Sequence, residues 1–226
     1  MSDDFRLVQR LPFITEMCAG KKVLHLGCTN APYTEDSISN NMLLHFELEK
    51  VAASLCGIDG DQSGLDILEA HGTAKLYFAD LEKLDALELN ETFDVIVAGE
   101  MIEHLNNPGQ FLSGIRRLMN PETRLLITTI NSYCGMRFFQ YGLRGKRGKA
   151  EPVHPDHVAY YSYATLSLLL SRHDLNVESF LFYDIGREHR PHNRWFLNLC
   201  NDICVRVAPQ WADGIIAVCR IAEARA

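Results

Sequence analysis

The stretch Phe93 to Gly109, FDVIVAGEMIEHLNNPG, constrains this chain more than any other. It opens with Phe93-Asp94-Val95-Ile96-Val97-Ala98, which has the length and β-branched content of a buried parallel strand. The run stops at Gly99 and is followed by Glu100, Glu103 and His104. If the chain coils there, spacings of three and four residues put both carboxylates and the imidazole on one face. Two acids and a histidine at the end of a buried strand are costly unless something binds them. In an open α/β sheet that end of the strands is where ligands sit. The plain alternative is a solvated turn in which Glu103 and His104 only cap a helix. The strand-then-helix pattern of the rest of the chain favours the ligand reading.

Residues 1–20 read as a lead-in helix, with Phe5, Val8, Leu11 and Ile14 at helical spacing and Gly20 closing it. Lys22 to Cys28 (KVLHLGC) is the first strand, and Gly27 at its end lets backbone approach a ligand closely. The loop Thr29-Asn30-Ala31-Pro32 follows, then a helical stripe of Leu44, Leu48, Val51 and Leu55. Leu55-Cys56-Gly57-Ile58 is the second strand and ends in Asp59-Gly60-Asp61. An acid at that tip suits the two hydroxyls of a ribose, against the simpler reading of a turn aspartate. A helix over 62–72 stops at Gly72, and Lys75 to Ala79 is a third strand ending in Asp80-Leu81. There an acid can accept a hydrogen bond from an adenine amino group. After the opening stretch, Asn107 caps a helix with Pro108 in first position and Gln110 at the capping-box position. Arg124 to Ile130 is a fifth strand. Five alternations of strand and helix call for a doubly wound, largely parallel sheet.

The alternation breaks at 131–161, a segment with Tyr133, Phe138, Phe139 and Tyr141, the basic residues Arg137, Arg144, Lys146, Arg147 and Lys149, and the run Val153-His154-Pro155-Asp156-His157. A long irregular segment at the ligand end of a sheet reads as a lid or substrate-recognition insert, with a merely solvated loop as the alternative. Ser162 caps the next helix, Val177 to Ile185 is a sixth strand, a helix covers about 193–207, and Ile215 to Ile221 is the last strand. Without linkers or repeats, 1–226 reads as one domain.

Charge and cysteine content bound the function. The balance of 22 basic and 29 acidic residues, net −7, gives no bulk argument for nucleic-acid binding. Seven cysteines (18, 28, 56, 134, 200, 204 and 219) are scattered and lack a CxxC pair, so they read as reduced thiols of a cytoplasmic protein. Cys200 and Cys204, one helical turn apart, read as packing. No apolar run approaches ~18 residues, so no transmembrane span is expected.

VLHLGC, GIDGD, FADLEKL, FDVIVAGEMIEHLNNPGQFL and RLLITTIN together resemble the class I S-adenosylmethionine-dependent methyltransferases over nearly the whole chain. The resemblance implies a Rossmann-like, doubly wound seven-stranded sheet, mostly parallel with an antiparallel last strand. It implies S-adenosyl-L-methionine as cofactor, with Gly27, Cys28 and Thr29 facing its methionine part, Asp59 and Gly60 its ribose, and Asp80 and Leu81 its adenine, Glu100 closing the same pocket. A narrower resemblance joins the ExxEH pattern to the ubiquinone-biosynthesis O-methyltransferases and the small-RNA 3′-terminal 2′-O-methyltransferases. It implies Glu100, Glu103, His104 and His157 as ligands of a divalent ion, with His154 able to replace His157. Magnesium prefers oxygen ligands and two imidazoles lean toward manganese, iron or zinc, so the ion stays open. Without a metal, His104 or His157 is the general base, and Glu103 belongs to the same catalytic set. His45, His71 and His173 read as structural or surface residues.

The resemblance implies an enzyme that methylates a hydroxyl of a small molecule such as a sugar, glycolipid head group or phenolic metabolite. Methylation of an RNA 3′ end is the alternative, motivated by the basic, aromatic insert. A non-catalytic cofactor-binding scaffold is the third reading, because His25 stands where the family has an acid and Thr29 and Ala31 where it has glycines. Phe138, Phe139 and the flanking arginines also suit peripheral contact with a membrane surface.

Overall fold

The computed structural model describes residues 6–87, 89, 91–143, 154–186 and 190–222. Its strands are β1 (Leu7–Gln9), β2 (Lys22–Leu26), β3 (Ser54–Asp59), β4 (Leu76–Phe78), β5 (Val95–Gly99), β6 (Arg124–Ile130), β7 (Leu175–Asp184) and β8 (Gly214–Ile221). The helices are α1 (Arg10–Cys18), α2 (Thr34–Ser39), α3 (Leu44–Glu49), α4 (Gln62–Ala70), α5 (Pro108–Leu118), α6 (Gly135–Leu143), α7 (Tyr163–Ser171) and α8 (Trp195–Val207). Among the described residues no helix is long and apolar enough to cross a membrane.

One sheet takes all eight strands in the order β1-β7-β8-β6-β5-β2-β3-β4. Strand β8 runs antiparallel to β6 and β7, and the other pairs are parallel. The expected count of seven is therefore corrected to eight. The extra strand, β1, pairs Leu7 with Phe182 and Gln9 with Asp184. It was hidden because only three residues pair before α1 starts at Arg10, so Val8, Leu11 and Ile14 read as one continuous helical stripe.

Strand alternation builds the core in two layers. Leu24, Leu26, Ile96, Ala98, Leu125 and Ile127 face α5, whose Phe111, Leu112 and Ile115 are sealed against them. Val23, Val95, Val97, Leu126 and Ile216 face the other way and pack on Ile14 of α1 and Leu48 of α3. Each fully buried leucine, isoleucine or phenylalanine contributes about 1.5–3 kcal/mol, which makes the four central strands the rigid floor of the molecule. By the same alternation His25, next to Leu24 and Leu26, is turned toward α3.

Local signals held unevenly. Ser162 caps α7 in a reciprocal pair with Thr165, and Gly72 ends α4 at φ +91°. Asn107 precedes α5 but its side chain makes no cap; its Nδ2 donates to Glu82 Oε2 at 2.8 Å instead. The stripe from Leu44 to Leu55 is broken, since α3 stops at Glu49 and Leu55 lies in β3.

Chain order reverses between β2 and β5. From β2 the chain steps outward to β3 and β4, then returns to lay β5 on the other side of β2. The crevice at their carboxyl ends is where an open α/β sheet receives a ligand. Leu26 pairs with both Ile58 and Ala98, so the tips at Gly27, Asp59 and Gly99 are neighbours.

Candidate active site

Beyond Gly99 the chain does not coil as an α-helix. Glu100 takes a left-handed conformation, φ +51°, and Ile102–His104 form a short 3-10 turn. That geometry sends the ExxEH side chains in different directions. Tyr183 donates its hydroxyl to Glu100 Oε1, and Arg10 Nη2 lies 3.6 Å from Glu100 Oε2. Glu103 is buried and accepts a hydrogen bond from Thr129 Oγ1 at 2.8 Å. Burial first, then the charge of Glu100, pushes its carboxyl up to about 7.

The Glu103 carbonyl accepts the amides of Val158 (2.9 Å) and Ala159 (3.2 Å), which pins the end of the insert over the turn. His157 is thereby laid on His104, ring centroids 4.5 Å apart and nearly perpendicular. His154 completes the group at 4.9 Å from His157 and 5.8 Å from His104. One ring nitrogen from each of His104, His154 and His157 falls within 4.8 Å of the others. Burial, then the neighbouring rings, lowers His157 to about 4 and pulls His104 down, so both are neutral bases near pH 7. His157 Nδ1 is sealed from solvent without a hydrogen-bond partner. A buried ring nitrogen left unpaired points to something absent that satisfies it. Tyr33, in the loop after β2, meets His154 edge-on at 6.2 Å and ties that loop to the cluster.

The structure thus brings His104 and His157 together, adds His154, and turns the carboxylates of Glu100 and Glu103 to other partners. Arg10, Tyr183, Thr129 and Tyr33 carry no sequence signal, because only the fold brings them to the β5 tip. The basic residues Arg144, Lys146, Arg147 and Lys149, and Val153, lie outside the described residues.

At the neighbouring tips, Gly27 takes φ +72°, a conformation open to glycine, and a Cβ there would stand 3.4 Å from Met101 Cβ. Asp59 Oδ2 accepts the amide and hydroxyl of buried Thr29, each at 2.9 Å, while Oδ1 accepts the Asp61 amide at 3.0 Å. One acceptor position of Oδ1 is therefore left. Cys28 is a buried thiol whose pKa burial raises. Gly60 is exposed, Asp80 caps the following turn through the Glu82 amide (3.0 Å) and holds Lys83 (2.7 Å), and Leu81 is half-buried beside it. Asp59→Ala strands the buried Thr29 amide and is expected to cost about 2–3 kcal/mol, read by urea unfolding.

Arg10, His25, Gly27, Asn30, Gly99 and Glu100 are among the residues that line a cavity of about 120 Å³ at the β2–β5 crevice. Behind it, His25 and His45 are buried with Nδ1 atoms 3.1 Å apart. Burial lowers His45 to about 4; burial, then His45 and Arg10, holds His25 well below its ordinary value. Below pH 6.5 the unfolded chain takes up protons that the folded one refuses. Stability is therefore full above about pH 6.5 and falls toward pH 4, by about 3 kcal/mol from His45 alone. Denaturant unfolding between pH 7.5 and 4.5 checks this, with a shallower slope expected in His45→Gln.

Comparison with known proteins supplies the family. Residues 5–179 match a family model described as a methyltransferase domain. A ubiquinone biosynthesis O-methyltransferase from Hahella chejuensis is 30% identical over 128 residues, covering 54% of this chain and 49% of that protein. The mitochondrial enzyme of that name from Schizosaccharomyces pombe is 26% identical over 133 residues, covering 54% and 44%. This chain spans about half the length of the curated relatives it matches. A crystal structure of a SAM dependent methyltransferase from Archaeoglobus fulgidus superposes with a TM-score of 0.58 at 14% identity, covering 92% of this chain and 90% of that one. The chain belongs to the methyltransferase-domain family, on the class I S-adenosylmethionine-dependent fold.

Proposed function

We propose that this chain transfers the methyl group of S-adenosylmethionine to a hydroxyl oxygen of a small molecule. The observation that carries this reading is the convergence of three imidazoles, His104, His154 and His157, at the β5 tip in a chain of this family. The relatives' name, with O-methyltransferase in it, supports oxygen as the acceptor atom.

The residues present fit the cofactor. At Gly60 an added Cβ would meet only the Ala79 carbonyl oxygen, at 3.6 Å, so that tip is open to a ribose. Phe78 at the β4 end is 60% exposed and offers a ring beside it. Asp59 keeps an acceptor position for a ribose hydroxyl, Asp80 and Leu81 stand beside the adenine position, and Gly27, Cys28 and Thr29 would receive the methionine part. Bound there, the cofactor supplies an electrophilic methyl group on a sulfonium. The acceptor hydroxyl is a weak nucleophile until its proton leaves, and a neutral imidazole of His157 or His104 receives it. Held by the Glu103 carbonyl, the insert fixes the His157 imidazole in place. The exposed rings of Phe138, Phe139 and Trp195 on the packed pair α6 and α8 support an acceptor with an apolar or phenolic body, or one drawn from a membrane surface.

The three imidazoles also fit a divalent ion, since a ring nitrogen of each lies within 4.8 Å of the others and His157 Nδ1 lacks a partner. Such an ion would lower the pKa of an acceptor hydroxyl. An all-nitrogen set favours zinc, iron or manganese over magnesium. Glu100 and Glu103 join it only by leaving Tyr183, Arg10 and Thr129.

The test is incubation with methyl-labelled S-adenosylmethionine and a panel of phenols, catechols and sugars, before and after chelation. O-methylated product supports the reading; label found only on nitrogen, or on no acceptor, overturns it. Activity that survives chelation assigns the proton to an imidazole alone. Activity lost on chelation and restored by zinc, iron or manganese assigns an ion.

A further inference from the structure

We infer that His45 fixes the tautomer of His25, so that His25 presents a bare Nε2 to the β2–β5 cavity and accepts a hydrogen bond from the α-ammonium group of the cofactor's methionine part. This rests on the reading that S-adenosylmethionine binds at these strand tips, and it adds a positioning residue and a polarity to that site.

His25 and His45 lie with nearly parallel rings, 5.3 Å between centroids, and their Nδ1 atoms meet at 3.1 Å. That contact holds a single proton, so one Nδ1 donates and the other accepts. Both rings are sealed in the interior and held neutral, one N–H apiece, so only one further N–H remains between them, on Nε2 of the ring that accepts. If His45 donated, its Nε2 would be a bare lone pair. That atom is buried, has no hydrogen-bond partner, and lies 4.0 Å from Glu49 Oε1. A lone pair facing a carboxylate is repelled, whereas an N–H there is attracted. His45 therefore keeps its proton on Nε2 and accepts at Nδ1. His25 donates from Nδ1, and its Nε2 is the lone pair it can offer to the cavity it lines.

The cavity's other groups fit a zwitterion. Arg10 supplies a guanidinium for a carboxylate, and Glu100 stands beside His25 as a second acceptor for an ammonium. Arg10 and Glu100 already face each other at 3.6 Å, so opposite charges are laid out side by side, as in an amino-acid head group. With the reverse tautomer His25 would present an N–H to the ammonium and repel it. His45 touches no ligand and acts only through His25.

The test combines two readouts on the full chain. Nitrogen-15 correlation spectra of histidine-labelled wild type report the His25 tautomer, with Nδ1–H expected. Calorimetry compares S-adenosylhomocysteine with its analogue lacking the α-amino group. Wild type is expected to prefer the former by about tenfold or more, the worth of one charge-assisted hydrogen bond. His45→Leu is expected to bind both within about threefold, and His45→Asn, which restores an acceptor, to recover the preference. An Nε2–H tautomer in wild type, or a preference unchanged in His45→Leu, overturns this inference while leaving the cofactor site standing. If wild type binds neither compound, the cofactor site itself falls and takes the inference with it. Should His45→Leu fail to fold, the wild-type tautomer and His45→Asn still decide.

Discussion

Replacing His157 with alanine is expected to lower kcat/KM about 10²–10⁴-fold, the usual worth of a positioned general base. The loss falls on kcat, because the proton is taken as the new bond forms, and affinity for S-adenosylhomocysteine is expected to stay within about threefold. His157 suits the part better than its neighbours. Its sealed Nδ1 has no partner, whereas His154 Nδ1 already accepts the Asp156 amide at 3.3 Å. His104→Ala and His154→Ala sort the two chemistries. If one imidazole acts alone, one of the three variants is crippled and the others lose little. If the three act as one ligand set, all are crippled to a similar depth. Assay against whichever hydroxyl acceptor the panel identifies reads this. Less than about threefold loss in all three variants removes the cluster from the reaction.

Gly214→Ala is expected to destabilise the protein by about 3 kcal/mol, the heavy end of overpacking in a core. Gly214 opens β8 opposite Tyr183 of β7, and an added methyl would run into the ring carbons and hydroxyl of that tyrosine. Tyr183 has no room to retreat: its ring is buried and its hydroxyl holds Glu100. Unfolding about 6–12 °C lower is expected by calorimetry, and cofactor affinity falls with it as Glu100 loses its fixed position. Gly142→Ala, in exposed α6 with nothing within 4 Å of the new methyl, is the control. It is expected to be neutral or to stabilise by about 0.5 kcal/mol. A Gly214→Ala protein within about 1 kcal/mol of wild type contradicts the packing described.

The central strands were legible because burial on both faces forces unbroken apolar runs, and Val95 to Gly99 or Arg124 to Ile130 allow little else. The strand tips were legible too, since the glycine at 27 and the acids at 59 and 80 follow from where those runs stop. Strand β1 was not, because three residues carry no period of their own and the strand exists only through its partner β7. The grouping of the ExxEH residues turned on one backbone choice. A left-handed Glu100 and a 3-10 turn separate side chains that α-helical spacing would have gathered. His157 was placed beside His104 by the family resemblance, with His154 as its substitute; that His154 joins the other two instead of replacing one follows from how two amides on the Glu103 carbonyl seat the end of the insert. Arg10, Tyr183 and His45 reach the site from other elements, and no local pattern announces them.

A crystal structure of this chain with S-adenosylhomocysteine bound tests the account most directly. The adenosine is expected along the tips at Asp59, Gly60 and Asp80, with the sulfur turned toward His104, His154 and His157 and space for an acceptor oxygen between. A sulfur turned away from those imidazoles, or a ligand seated anywhere but the β2–β5 crevice, contradicts it.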